Sequence, residues 1–174
     1  MTFYDLGTHY GEGLRKVTAI HDIDNTWQIY TFEPNPTINV HLHLKDYPYN
    51  VNIIRKAAWT NYGTMRFNAQ EQSGHGFGAG LDGYGSDGAH WYAGLVPTVD
   101  IVHMIKAYND RCIVKMDIEG AEWPIMEKLT NDIVAMSLID TLYIEWHMAH
   151  GNEHAKDRIM KTLRHHGVTV AEWE

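Results

Sequence analysis

The chain has 174 residues, 44% hydrophobic and 21% charged, enough for one domain with a substantial core. Its formal charge is -8 and its 14 Lys and Arg residues are scattered rather than striped, which argues against nucleic acid as a partner. No apolar run reaches membrane-spanning length, no secretory leader is visible before the first strand, and Cys112 has no partner for an internal disulfide, so a reducing, cytoplasmic setting is expected.

Thr2 to Leu6 reads as a short first strand, and Gly11 to about Asp24 as a helix with Leu14, Val17 and Ile20 on one face. Trp27 to Phe32 is a second strand, stopped by Glu33-Pro34-Asn35-Pro36. Thr37 to Tyr47 carries a weak helical pattern, and Val51 to Ala58 reads as a third strand. From Asn68 to Pro97 glycines recur at 74, 76, 78, 80, 83, 85 and 88, which predicts a long loop or lid. A helix is expected from Val99 to Tyr108, a strand from Cys112 to Met116, and a helix from Ala121 to Asn131 with Pro124 in its first turn. Ile139 to Trp146 is a further strand, Asn152 to His166 an amphipathic helix stopped by Gly167, and Val168 to Trp173 a last strand. Strands alternating with helices imply an α/β fold: a mostly parallel sheet with helices on both faces, in one domain over residues 1–174.

Gly78 to Gly83 matches the dinucleotide pattern G-x-G-x-x-G, but neither a strand before it nor a helix after it supports that reading. The turn after the first strand has the right context: Gly7 permits a tight bend and Gly11 a close approach. Its charges discriminate between ligands. Asp5 precedes the glycines, Glu12 follows them, and no Lys or Arg stands from Asp5 to Gly13. A diphosphate would be repelled, whereas S-adenosylmethionine is cationic and carries no phosphate. Asp5 would attract its ammonium, and backbone amides its carboxylate. Glu33 ends the second strand about 20 residues on, where an acid holds ribose hydroxyls.

In this order the chain resembles the FkbM-type methyltransferases, a Rossmann-like branch of the S-adenosylmethionine-dependent enzymes. The resemblance rests on Phe3 to Gly11, Phe32-Glu33-Pro34-Asn35-Pro36, Ala57-Ala58-Trp59 with Gly63, and Val99-Asp100. Its most specific part is Lys115-Met116-Asp117-Ile118-Glu119-Gly120-Ala121-Glu122, followed by Ile144-Glu145-Trp146-His147. It implies methyl transfer to hydroxyls of sugars, polyketides and related natural products. Asp5, Gly7, Thr8, His9 and Gly11 would surround the methionine part of the cofactor. Glu33, Pro34 and Asn35 would lie at the ribose, Ala58 and Trp59 near adenine, and Asp117 beside the methyl group and acceptor. Thr8-His9 stands where the family more often has Ala-Asn. The fold is expected to be short at both ends, leaving the cofactor exposed or covered by a second copy of the chain.

A hydroxyl acceptor needs alignment and loss of its proton. Asp117 ends the fourth expected strand, and Glu145 and His147 end the fifth, so the three are expected to converge. Two mechanisms fit. In one, His147 is the base and a carboxylate orients it; in the other, the three residues hold Mg²⁺ or Mn²⁺. Glu119 and Glu122 also suit a helix's first turn without any role in chemistry. A zinc site on His147, His150 and His154 is weakly indicated, and His75, His90, Trp91 and Tyr92 beside the glycine-rich loop suit a sugar ring. The rival readings are a non-catalytic cofactor-binding or scaffold module and an NAD-dependent oxidoreductase.

Overall fold

A computed structural model describes residues 1–69, 80–81, 92–147 and 153–173. The chain begins with β1 (Thr2–Leu6), α1 (Glu12–Ile20), β2 (Gln28–Phe32), α2 (Val40–His43) and β3 (Val51–Ile54). Four strands follow: β4 (Ala57–Trp59), β5 (Gly63–Ala69), β6 (Gly80–Leu81) and β7 (Tyr92–Asp100). The remainder is α3 (Ile101–Tyr108), β8 (Cys112–Met116), α4 (Glu122–Thr130), α5 (Ile133–Leu138), β9 (Ile139–Ile144), α6 (Glu153–His165) and β10 (Thr169–Glu172).

The larger sheet runs β10-β9-β8-β1-β2-β3, and every pairing in it is parallel. Chain order reverses between β1 and β8, the place where open α/β sheets open a crevice at the carboxyl ends of their strands. β1 and β8 are buried along their whole length, because helices cover both faces. Phe3, Ile29 and Ile113 pack against Leu14 and Val17 of α1 on one side. Tyr4, Leu6, Val114 and Met116 pack against α3, α4 and α6 on the other. Each large apolar side chain buried this way contributes about 1.5–3 kcal/mol, so docking rather than intrinsic propensity keeps the nine-residue α1 helical. Period-two alternation then puts Thr31, Asp5 and Lys115 side by side on the α1 face, in register across three strands.

A second sheet, β4-β7-β5-β6, was not expected from the sequence. The stretch Val51 to Ala58 is two strands: β3 joins the large sheet and β4 the small one, parted at Arg55-Lys56. Arg55 turns away to donate to the carbonyl of Asn35. The loop expected from Asn68 to Pro97 is strand at both ends, since β5 and β7 pair antiparallel from Gly63↔Thr98 to Ala69↔Tyr92. Recurring glycines masked that pairing. His75, His90, Trp91 and most of the Gly78–Gly83 pattern lie outside the described residues.

The helix expected from Val99 starts at Ile101, because Asp100 accepts from the amide of His103 and caps it. α1 and α2 are shorter than their apolar patterns suggested. α5 was missed; its N-cap is Asp132, which accepts from the amide of Ala135. Among the described residues no helix is long and apolar enough to cross a membrane.

Candidate active site

A cavity of about 440 Å³ opens over the carboxyl ends of β1, β2 and β8, within the roughly 300–1,000 Å³ usual for small-molecule sites. Its floor is the turn after β1. Gly7 has a φ of 79°, and a Cβ there would stand 1.8 Å from the carbonyl oxygen of Asp117. Only glycine lets the end of β1 lie this close to the end of β8. Gly11 does not line the cavity; at a φ of 85° it precedes the first turn of α1 against Leu44.

Four of the five amides from Gly7 to Gly11 are used within the protein. Those of Gly7 and Thr8 donate to Phe32 O at 3.0 and 3.1 Å, and that of Gly11 to Thr8 O at 2.8 Å. The amide of His9 donates to Glu33 Oε2 at 2.9 Å. The turn is therefore not the open nest of N–H groups expected to hold the ligand's carboxylate. The first turn of α1 has no side-chain cap, and its Glu12 and Gly13 line the cavity.

Asp5 does not reach the cavity. It is fully buried and accepts from the hydroxyls of Thr8 and Thr31 at 2.8 and 3.1 Å. The expected absence of a nearby cation also fails, because Lys115 reaches in from β8. Its Nζ donates to Gly7 O at 2.8 Å and lies 3.6 Å from Asp5 Oδ1 and 3.2 Å from Asp117 Oδ2. Gly13 makes room for it, since a Cβ there would meet the Lys115 stem at 2.7 Å. Burial opposes the charge of Lys115, but Asp5 and Asp117 outweigh it and raise its pKa. Two carboxylates against one ammonium leave this group one charge negative.

Glu33, Pro34 and Asn35 line the cavity where β2 ends. Burial raises the pKa of Glu33, against the pull of the amides of His9 and Asn35 that donate to its two oxygens. Phe32, Ala57, Ala58, Phe67 and Leu81 add an apolar wall, part of it from the small sheet. Trp59 differs from its neighbour Ala58: it packs inside the small sheet with Phe67 and Val96 and does not line the cavity.

At the other end stand Asp117, Glu145 and His147, with one ligand-type atom of each within 4.8 Å of the others. His147 Nε2 lies 3.4 Å from Glu145 Oε1, and 3.9 Å from both Asp117 Oδ1 and Glu119 Oε2. Its Nδ1 is 3.0 Å from Glu122 Oε1. Glu122 is fully buried and also accepts from the amides of Ile118 and Gly120 at 2.8 and 2.7 Å. Burial works against a charged His147, but the hydrogen bond and charge of Glu122, with Glu119 and Asp117 behind, lift its pKa to about 9. Burial and the neighbouring acids raise the Glu119 and Glu145 pKa values, against the pull of His147. A pKa of about 9 favours the charged ring, which donates hydrogen bonds from both nitrogens. His150 lies outside the described residues.

Sequence reading missed the parts played by Lys115, Glu122, Lys16 and Trp173. Lys115 interrupts an otherwise apolar buried strand, which is a signal in itself, but its partner Asp5 comes from β1, distant in sequence. Glu122 sits in a helix's first turn, where an acid is ordinary. Lys16 and Trp173 both line the cavity, and the Lys16 ammonium lies 4.4 Å from the centre of the indole ring.

The chain matches the family model of the methyltransferase FkbM domain over residues 5–169. That span is nearly its whole length, and the chain belongs to this family. Comparison with curated proteins and with solved structures finds no significant match.

Proposed function

We propose that this FkbM-family methyltransferase uses S-adenosylmethionine to methylate a hydroxyl of a sugar, glycan or related natural product. The observation that carries the reading is a cavity at the sheet's switch point with a buried carboxylate, Glu33, at one end and the Asp117, Glu145 and His147 cluster at the other.

The residues suit a cationic nucleoside better than a diphosphate. Four of the turn amides are already engaged, and the group of buried Asp5 and Lys115 with half-buried Asp117 sets two carboxylates against one ammonium. When bound, the cofactor supplies an electrophilic methyl group on a sulfonium. Glu33 retains acceptor capacity for ribose hydroxyls beyond its two amide bonds. Phe32, Ala57 and Ala58 offer an apolar face for a base and exclude water from it. The first turn of α1, which no side chain caps, offers its amides to the amino-acid carboxylate. At the acceptor end, His147 donates to and orients an oxygen while the facing carboxylates receive the hydroxyl proton.

S-adenosylhomocysteine tests the reading without knowledge of the acceptor. At about 100 times its Kd it should stabilise the chain by about 2.7 kcal/mol, raising Tm by roughly 5–11 °C, while NAD has no effect. Glu33→Gln should weaken that binding by about tenfold, the loss of one charge-assisted hydrogen bond. Absence of any shift at millimolar ligand would refute the cofactor assignment.

A further inference from the structure

We propose that Lys16, held against Trp173, binds a carboxylate of the methyl acceptor, so that the substrate is a sugar acid of the hexuronic class rather than a neutral sugar. The inference rests on the reading of the cavity as a methyl-transfer site and adds to it the charge of the acceptor. Lys16 stands one turn beyond Glu12 on α1, Trp173 directly follows β10, and both line the cavity.

The sheet puts this pair at the acceptor end. The amide of Trp173 donates to Ile144 O at 2.9 Å, so Trp173 continues β10 alongside Glu145. Neighbouring strands lie about 4.8 Å apart. Trp173 is therefore one strand beyond Glu145, on the side away from Glu33. That separation is about the span of one sugar ring. A ring hydroxyl presented to Asp117, Glu145 and His147 directs a carboxylate on the far side of the same ring toward Lys16.

Lys16 differs from the other cations of the site. Lys115 is matched by Asp5 and Asp117, and four carboxylates surround His147. Lys16 is exposed and, among the described residues, pairs with no carboxylate; its ammonium lies 4.4 Å from the centre of the Trp173 indole. An aromatic face attracts an ammonium without cancelling its charge. The N–H groups turned away from the ring are left for an anion. The indole is itself fixed, since Tyr143 meets it edge-on at 5.7 Å and the Tyr143 hydroxyl lies 2.7 Å from His21 Nε2. A plain surface lysine has no such platform. Glu12, Glu119 and Glu145 also line the cavity, so a doubly charged phosphate meets more repulsion there than a single carboxylate.

Calorimetric titration of the whole chain, saturated with S-adenosylhomocysteine, tests this with methyl β-D-glucuronide, methyl β-D-glucoside and glucose 6-phosphate. The glucuronide should bind at least about tenfold more tightly than the glucoside, the worth of one hydrogen bond to a charged group. Lys16→Met, which keeps the stem and lacks the ammonium, should erase that difference and leave S-adenosylhomocysteine affinity unchanged. Lys16→Arg should retain the difference. A glucuronide bound no more tightly than the glucoside overturns the proposal, as does a preference that survives Lys16→Met. So does tighter binding of glucose 6-phosphate than of the glucuronide. A loss of S-adenosylhomocysteine affinity in Lys16→Met also overturns it, by assigning the ammonium to the cofactor's carboxylate. A parent chain that binds no S-adenosylhomocysteine removes the methyl-transfer reading instead, and the same titration without that ligand still reads the preference for a carboxylate.

Discussion

His147 gathers four carboxylates, those of Asp117, Glu119, Glu122 and Glu145, around one imidazole. That has a consequence for stability in the absence of metal. Its folded pKa, about 9, lies above the 6.5 of a free imidazole. Below about pH 6.5 the ring is charged in both states and its ion pairs contribute in full. Between there and about pH 9 the unfolded chain has lost the proton while the folded one keeps it, so the contribution drains away as pH rises. Melting curves in EDTA should therefore show the gap in Tm between the parent and His147→Gln at its widest near pH 6 and closed above about pH 9. A gap that widens toward alkaline pH would show that the ring is neutral in the fold.

Between β1 and α1 the chain turns through Gly7, and the turn is set by its neighbour in space rather than by its own sequence. Gly7→Ala would place a methyl group 1.8 Å from the backbone carbonyl of Asp117, just past β8, at a φ of 79° that alanine rarely adopts. The carbonyl cannot rotate away without breaking the ladder between Leu6 and Met116. A loss of about 3 kcal/mol is expected, a fall in Tm of roughly 6–12 °C, read by calorimetry. This element also shows what the sequence could disclose. The strand runs, the glycines after β1, the acid ending β2 and the motif after β8 follow local rules of period and turn chemistry, so the doubly wound sheet and the meeting of Asp117, Glu145 and His147 were legible. Pairing across the chain was not. β5 and β7 find each other over a glycine-rich stretch with no periodicity, and Arg55-Lys56 gives no local sign that the strands on either side join different sheets. Asp5 looked like a ligand contact because its neighbours in sequence carry no cation; the cation lies 110 residues away on the adjacent strand.

The two halves of the molecule meet along β1 and β8, and the charge that joins them is Lys115 with Asp5 and Asp117. Lys115 and Asp5 side chains are 3% and 0% exposed, so neither is screened by water. Removing one partner of such a pair strands the other, at a cost of about 3–5 kcal/mol, whereas removing both can be close to neutral. Lys115→Met keeps the stem that packs against Gly13 and deletes the ammonium, leaving Asp5 buried with two hydroxyl donors and no counter-charge. Its Tm should fall by roughly 6–20 °C. Asp5→Asn alone should cost less, because Asp117 still neutralises Lys115 at 3.2 Å. In the double variant Lys115→Met/Asp5→Asn the stranded charge is gone, and urea denaturation should find it more stable than the sum of the single losses by about 1–3 kcal/mol. Additivity within about 0.5 kcal/mol would mean that the two side chains act separately, and that backbone pairing alone, not this buried cation, holds the glycine turn against Asp117.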